Sequence, residues 1–522
     1  MADEGINGGM TAATNSHKMG LFEATGYVVG NIIGSGIFIT PGSILGYTKS
    51  IGLSLIVWIG CGILSLLGAI CYIELATAIP EPGADFAYSV FVGWEALAFC
   101  FMWSGVFISF PASAAVQAQT FGKYITAGID PVWTIHEPWR VITEQSLGFV
   151  LIILLSILNL YAIDKYAGRF QVIVTISKML SLAVIIFTGF YLLIFKGWTQ
   201  NLANPMEGSV WNPGSLVLAF YGGLWSFLCW DILNYGTPEI ENSRRTIPLA
   251  LISGIFIVTS TYVAVNISYF VVLTPDQIVN SSAVAAEFAQ ETLGNFSYAV
   301  PFMVALLLLG TLNSNIFVGS RFTYAAAREK HLPRFLSCVN EASGSPRAAV
   351  LWQMICTIIV SFVDIDTLIN YVTFVMWGQR VVTILALLWI RYRKIPVADG
   401  AIRVPIIFSI LFLISSITLV IVPFIESPLI TTIGAAIVFS GMIFFYLLVK
   451  PVNLPRFLRN FNDGMARVTC KLLVSEVDIK RRPSQSAASS SRRDSQRRDE
   501  LQSLEDPTQR PSSSTEEEFS RM

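Results

Sequence analysis

Two stretches of the chain place glycine where an apolar run would otherwise make uninterrupted helix. The first reads Gly30-Asn-Ile-Ile-Gly34-Ser35-Gly36-Ile37-Phe38, with Pro41-Gly42 beyond. The second reads Ala219-Phe-Tyr-Gly222-Gly223-Leu-Trp225, then Leu233-Asn-Tyr-Gly236-Thr-Pro238. Glycine costs a helix about 1 kcal/mol relative to alanine and permits the open backbone that a break needs. In the first stretch a second half-helix would begin near Gly36, and its free N–H groups and positive dipole end suit a carboxylate. The preceding half-helix would end near Ile32, leaving carbonyl oxygens to accept from an ammonium group. Gly34 and Gly36 carry no side chain to block approach, and Ser35 adds a hydroxyl. A single glycine pair is more simply explained by close helix packing. Two such pairs, set five apolar runs apart, point instead to a site built from two interrupted helices.

Ionisable side chains inside apolar runs are costly and count as functional candidates. Lys178 is such a candidate, against the alternative that it snorkels, since it lies only about 10 Å of helix from a membrane surface. Asp231, just beyond the second break, either biases the site towards cationic ligands or serves the structure through a hydrogen bond. Arg380, after Trp377-Gly-Gln379, either pairs with Asp231 or Glu74 or lines a pathway. Glu74 itself reads as the structural partner of a loop arginine.

The elements that must position these groups follow from composition. The chain has 522 residues, 53% hydrophobic and 13% charged, about half the charge of a soluble globular chain. Of 69 charged residues, 24 follow Lys450. The first 450 positions therefore cannot coat a water-facing surface, and a polytopic, all-α membrane protein is expected. A crossing helix needs about 20 mostly apolar residues, and twelve stretches qualify: 24–46, 52–78, 87–118, 147–164, 171–195, 214–236, 248–273, 297–326, 347–363, 368–390, 405–424 and 429–449. Breaks in the first and sixth are placed as the halves of a five-plus-five inverted repeat would place them.

With the N-terminus inside, the inner loops carry 13 Lys and Arg against four in the outer loops, which puts both termini in the cytosol. The sequons at Asn280 and Asn295 then fall outside. The first 20 residues are polar, so no cleavable signal peptide is expected. Residues 1–20 and 451–522 read as tails around the domain at 21–450. Seven scattered cysteines without CxxC spacing exclude a disulfide scaffold or structural zinc site. His17, His136 and His331 lie far apart and outside the spans, so no catalytic or metal centre and no cofactor are expected. No GxxxxGK[ST] loop marks an ATP-driven pump, no charge ring marks a channel, and no basic patch marks nucleic acid.

Gly30-Asn-Ile-Ile-Gly-Ser-Gly-Ile-Phe-Ile-Thr-Pro41 resembles the span-1 signature of the L-type amino-acid transporters, the light chains of heteromeric amino-acid transporters within the amino acid–polyamine–organocation superfamily. Gly68-Ala-Ile-Cys-Tyr-Ile-Glu74-Leu, Gly83-Ala-Asp-Phe-Ala-Tyr88, Ser320-Arg-Phe-Thr-Tyr-Ala-Ala-Ala-Arg-Glu-Lys-His-Leu-Pro333 and Trp389-Ile-Arg-Tyr-Arg resemble the same family in order and spacing. The likeness covers roughly residues 20–460. It implies a leucine-transporter-like fold of twelve helices, and exchange of amino acids across the plasma membrane. It assigns substrate contacts to Ile32, Ser35, Gly36 and Ile37 and makes Trp225 the gating aromatic, against the alternative of an interfacial or core tryptophan. Lys178 matches a lysine that stands where sodium-coupled relatives bind their ion. Leu228-Cys229 replace a glycine pair found in many relatives, which should reshape the side-chain pocket. A nontransporting amino-acid sensor on the same fold is the rival reading.

The family's heavy-chain disulfide uses a cysteine in the outer loop between spans 3 and 4. The loop here, Gln119 to Ser146, has none, so a covalent heavy chain is not expected and only a noncovalent one stays open. Residues 480–522 read as disorder. They contain Ser484 and Ser495 behind arginine pairs, as basophilic kinases prefer. The ending Phe519-Ser520-Arg521-Met522 resembles a PDZ-domain ligand.

Overall fold

The computed structural model describes residues 19–478 apart from 82, 137, 162–163, 236, 238–239, 341–342 and 452–454, and side chains other than those of 164–172 and 430. The phosphorylation and PDZ expectations at Ser484, Ser495, Ser520 and Met522 lie outside the described residues.

The described chain is a bundle of helices. In order they are α1 (Leu21–Ile32), α2 (Gly36–Ile39), α3 (Pro41–Thr48), α4 (Ile51–Ala78), α5 (Ala84–Phe91), α6 (Glu95–Ser104), α7 (Phe110–Ile129), α8 (Trp139–Leu160), α9 (Asp164–Phe195) and α10 (Pro213–Ser226). There follow α11 (Ser243–Val272), α12 (Pro275–Asn280), α13 (Val284–Leu293), α14 (Ala299–Arg328), α15 (Arg347–Val360), α16 (Ile365–Arg393), α17 (Ile406–Ile421), α18 (Pro423–Glu426), α19 (Pro428–Phe444) and α20 (Arg456–Leu473). Two-residue strands β1 (Cys338–Val339) and β2 (Glu476–Val477) pair antiparallel.

Local chemistry sets the boundaries. Ser50 caps α4 by accepting from the Leu53 amide at 3.3 Å, Asn212 caps α10 with Pro213 at its first position, and Asp364 caps α16 through the Thr367 amide at 2.8 Å. Among the described residues ten helical segments are long and apolar enough to cross a membrane. Side chains such as Ile59 and Ile63 of α4, Leu154 of α8, Phe187 of α9 and Ile414 of α17 point outward, as lipid-facing helices require.

Two expected spans fall short of that measure, because α10 and α15 have 14 residues each. The α10 helix stops at Ser226, where the expected break lies. The expected span 87–118 is also corrected. Gly93, with φ +80, separates α5 from the next helix. That helix runs from Glu95 through a π turn at Gly105–Ser109 to Ile129. The expected loop from Gln119 to Ser146 is thus mostly helix. Its polar residues have partners: Gln119 Nε2 donates to the carbonyls of Ser361 and Val363 at 3.0 and 2.9 Å, and Arg140 bridges Asp130 and Glu144.

Within the bundle α4 packs on α11, α1 on α11, α7 on α8 and α14, and α10 on α3, α4 and α16. These contacts bring the two glycine-bearing stretches together.

Candidate functional site

The chain leaves helical geometry after Ile32 and regains it at Gly36. Ile33 is extended at φ −68 and ψ 90, so carbonyls at the end of α1 are released from the helical ladder. They are claimed from two directions. Lys178 Nζ donates to the carbonyls of Gly30 and Ile33 at 2.7 and 2.6 Å. The lysine is 4% exposed, so it braces α9 against the end of α1 rather than snorkelling. The Tyr262 hydroxyl lies 3.0 Å from the Ile32 carbonyl oxygen and 2.9 Å from that of Ser226. Its one proton is shared between the ends of the two interrupted helices. A carbonyl oxygen has a second lone pair, so Ile32 retains acceptor capacity. On the other side of the break Ser35 stands at the head of α2, and among the described residues no side chain caps that helix.

The second break begins where α10 ends. Phe227 and Leu228 turn back on the carbonyls of Gly223 and Trp225, and Cys229 takes a left-handed φ of +68. A short 3-10 turn then runs from Ile232 to Tyr235. Thr40 Oγ1 and Ser226 Oγ meet at 2.9 Å, stitching the start of α3 to the end of α10. Gly36 lies against the same point, because a Cβ there would fall 2.5 Å from Ser226 Cα and 2.6 Å from its hydroxyl. Gly36 is therefore required for close approach of two backbones. At Gly34 an added Cβ would meet only the Ile32 carbonyl, at 3.8 Å.

Access is uneven across this junction. Trp225, Ser35, Gly36 and Ile37 are buried, whereas Gly34 and Leu228 are half-buried and Cys229 and Tyr235 are exposed. Ile240, five residues on from Tyr235 in the sequence, bridges to Met19 just before α1.

The remaining ionisable candidates separate into two groups. Arg380 and Asp231 come together, with Nη1 2.9 Å from Oδ2 as an ion pair without hydrogen-bond alignment. The same nitrogen bonds Asp85 and lies 3.0 Å from the Tyr72 hydroxyl. Tyr72 and Thr383 donate to the other Asp85 oxygen, the latter at 2.8 Å. The Tyr72 and Trp230 rings stand 5.1 and 5.0 Å from the guanidinium carbon. All three charged side chains are 5% exposed or less. Glu74 does not join them: it pairs with Arg391, in the last turn of α16, and accepts from the Val404 amide at 3.0 Å.

Sequence reasoning thus missed Asp85, Tyr262 and Thr40. Asp85 lies within Gly83-Ala-Asp-Phe-Ala-Tyr88 and Thr40 beside Pro41, both motifs already conspicuous, while Tyr262 carries no local signal. Asn280 and Asn295 are both exposed, between α11 and α14.

Two interrupted helices meeting in a bundle of membrane-crossing helices define a multi-pass membrane protein of the transporter class. The chain belongs to the amino acid permease family, whose model matches residues 19–449. It is 44% identical over 454 residues to amino acid transporter protein 6 of Caenorhabditis elegans, covering 86% of each chain. It is 36% identical to Asc-type amino acid transporter 1 of Mus musculus, covering 86% of this chain and 84% of the relative. It is 34% identical to b(0,+)-type amino acid transporter 1 of Homo sapiens, covering 83% and 88%. The family expected from the motifs is the family found, and it is one of amino-acid transporters rather than enzymes.

Proposed function

We propose that this protein is a sodium-independent exchanger of neutral L-amino acids, large or aromatic, working by alternating access across the plasma membrane with both termini in the cytosol. In this reading the shorter helices α10 and α15 complete twelve spans, ten of which form two inverted five-helix halves. The observation that carries the proposal is Lys178, whose ammonium is fixed on the carbonyls of Gly30 and Ile33 at 2.7 and 2.6 Å. A cation built into the chain at this junction supplies the charge that a bound metal ion would bring.

The substrate's carboxylate would face the head of α2 at Ser35, Gly36 and Ile37, and its ammonium the end of α1 at Ile32 and Gly34. Trp225 would cover the substrate from one side and Leu228 would limit its side chain. Buried Trp225 beside exposed Cys229 and Tyr235 supports a site closed on the Trp225 side and open towards the face where α1 begins. Asp231 faces Arg380, which supports neutral over cationic substrates, because a carboxylate already paired offers less to an incoming cation.

The test is uptake of labelled amino acids by cells expressing the chain, with sodium or choline outside and with or without unlabelled amino acid loaded inside. Neutral amino acids should enter equally in both media, and faster against a loaded interior. Uptake that vanishes in choline removes the sodium-independent reading. Binding without countertransport identifies a sensor.

A further inference from the structure

The helix α20 presents its surface in an unusual sense. Phe457, Phe461, Met465, Val468 and Leu472 recur every three or four residues and form one stripe. In a water-exposed domain such a stripe faces the core. Here the stripe faces outward, with Phe457 and Leu472 each 76% exposed and Phe461 59%, while the small and polar face holds the protein. Asn462 accepts from the Arg334 amide at 2.9 Å and Asp463 pairs with Arg334. Ala466 is buried, and Cys470 Sγ lies 2.9 Å from Cys338 Sγ. Beyond the helix, Arg347 Nη1 donates to the Leu473 carbonyl at 2.7 Å and β2 pairs with β1.

These contacts fix the depth of α20. Its partners lie between the end of α14 at Arg328 and the start of α15 at Arg347, so it runs at the level where membrane-crossing helices end. The last membrane-crossing segment finishes at Val449, and the six residues before Arg456 reach at most about 20 Å. That segment ends in outward-facing Tyr446, Leu447 and Leu448, with Lys450 Nζ 4.9 Å from the Tyr446 ring, an aromatic and a cation of the kind that mark a headgroup layer. The charge of α20 has one sign. Arg456, Arg459, Arg467 and Lys471 are all exposed, and its one acidic residue, Asp463, is taken by Arg334.

We propose that α20 is an interfacial membrane helix, its apolar stripe sunk among the acyl chains and its basic residues on anionic phospholipid headgroups. Because α20 is also clasped to the α14–α15 connection, anionic lipid bears directly on that connection.

The test uses the full chain with the photo-crosslinker benzoylphenylalanine at Phe461 or, independently, at Leu472, activated first in cell membranes and then in nanodiscs of phosphatidylcholine with or without phosphatidylserine. The expected products are phospholipid adducts, with phosphatidylserine enriched about fivefold over its mole fraction, the factor that one surface Lys or Arg provides. The same probe at Cys470, on the docking face beside Cys338, should cross-link within the chain. Replacing Arg456, Arg459, Arg467 and Lys471 together by Gln should abolish the enrichment while lipid adducts persist. Adducts to another protein, no lipid adduct at either stripe position, or no preference for phosphatidylserine would each overturn the proposal.

Discussion

Lys178 and Arg380 are both buried cations, yet they solve the problem of burial differently. Lys178 has carbonyl dipoles for partners, so its charge is stabilised only while α1 stays interrupted. Hydrogen bonds to a charged donor contribute about 1.5–3 kcal/mol each. Lys178→Met should therefore let the end of α1 re-form or wander, lowering labelled uptake per surface molecule about tenfold or more; unchanged uptake at normal surface density would remove the brace from the mechanism. Arg380 instead answers two carboxylates. Arg380→Met would strand Asp85 and Asp231, a loss of about 3–5 kcal/mol, and surface protein measured by biotinylation should fall sharply. Adding Asp85→Asn and Asp231→Asn should restore much of it. Asp231→Asn alone separates the two readings of that residue. Neutral uptake that survives supports a structural carboxylate, whereas selective loss of cationic uptake would make Asp231 a substrate ligand.

At the scale of elements, the first break was legible because the cost of glycine in a helix is visible without coordinates, and the ends at Ile32 and Gly36 fall where the glycines placed them. Gly222 and Gly223 instead stay inside α10, where Gly223 makes room for Cys61, and the second break starts only after Ser226. What each glycine does was less legible. Gly36 reads in sequence as an open approach to a carboxylate, but its missing Cβ makes room for Ser226 Cα. Gly36→Ala should disrupt packing between α2 and α10, and is a poor probe of binding. Gly34 is the better one, because a methyl there has space. Gly34→Ala should leave surface expression intact and lower uptake about tenfold or more, as one added group in a fitted site does. Wild-type uptake by that variant would move the site away from the first break. The polar residues of α7 were illegible for the opposite reason. Gln119 and Lys123 look like loop until α7 is packed against the α15–α16 turn, where Gln119 meets Ser361 and Val363. The helix α20 was missed because a charged tail masks its apolar stripe.

At the scale of the whole molecule, the missing cysteine bears on whether a disulfide-linked partner is available to this transporter. Helix α7 extends to Ile129 and α8 starts at Trp139, so the connection where the resemblance places a heavy-chain cysteine is short. It exposes Val132, Trp133 and Trp139 and offers no thiol. Apolar groups there suit a noncovalent partner or the aromatic belt of the bilayer itself, and neither forms a reducible bond. The Cys338 and Cys470 thiols lie within one chain, so their joining would leave the mass of the chain unchanged. Nonreducing gels of the protein from cell membranes should accordingly show a single band at monomer mass, with no heavier species lost on reduction. If the exposed sequon asparagines, Asn280 at the end of α12 and Asn295 after α13, lie outside as the charge bias expects, they offer a route to a glycan of the chain's own. Peptide glycosidase should then increase its mobility, and the chain should reach the surface without a coexpressed heavy chain. A reducible heterodimer would overturn the covalent part of this expectation. A chain retained inside the cell until a heavy chain is supplied would overturn its autonomy and leave the noncovalent partner as the explanation for the exposed tryptophans.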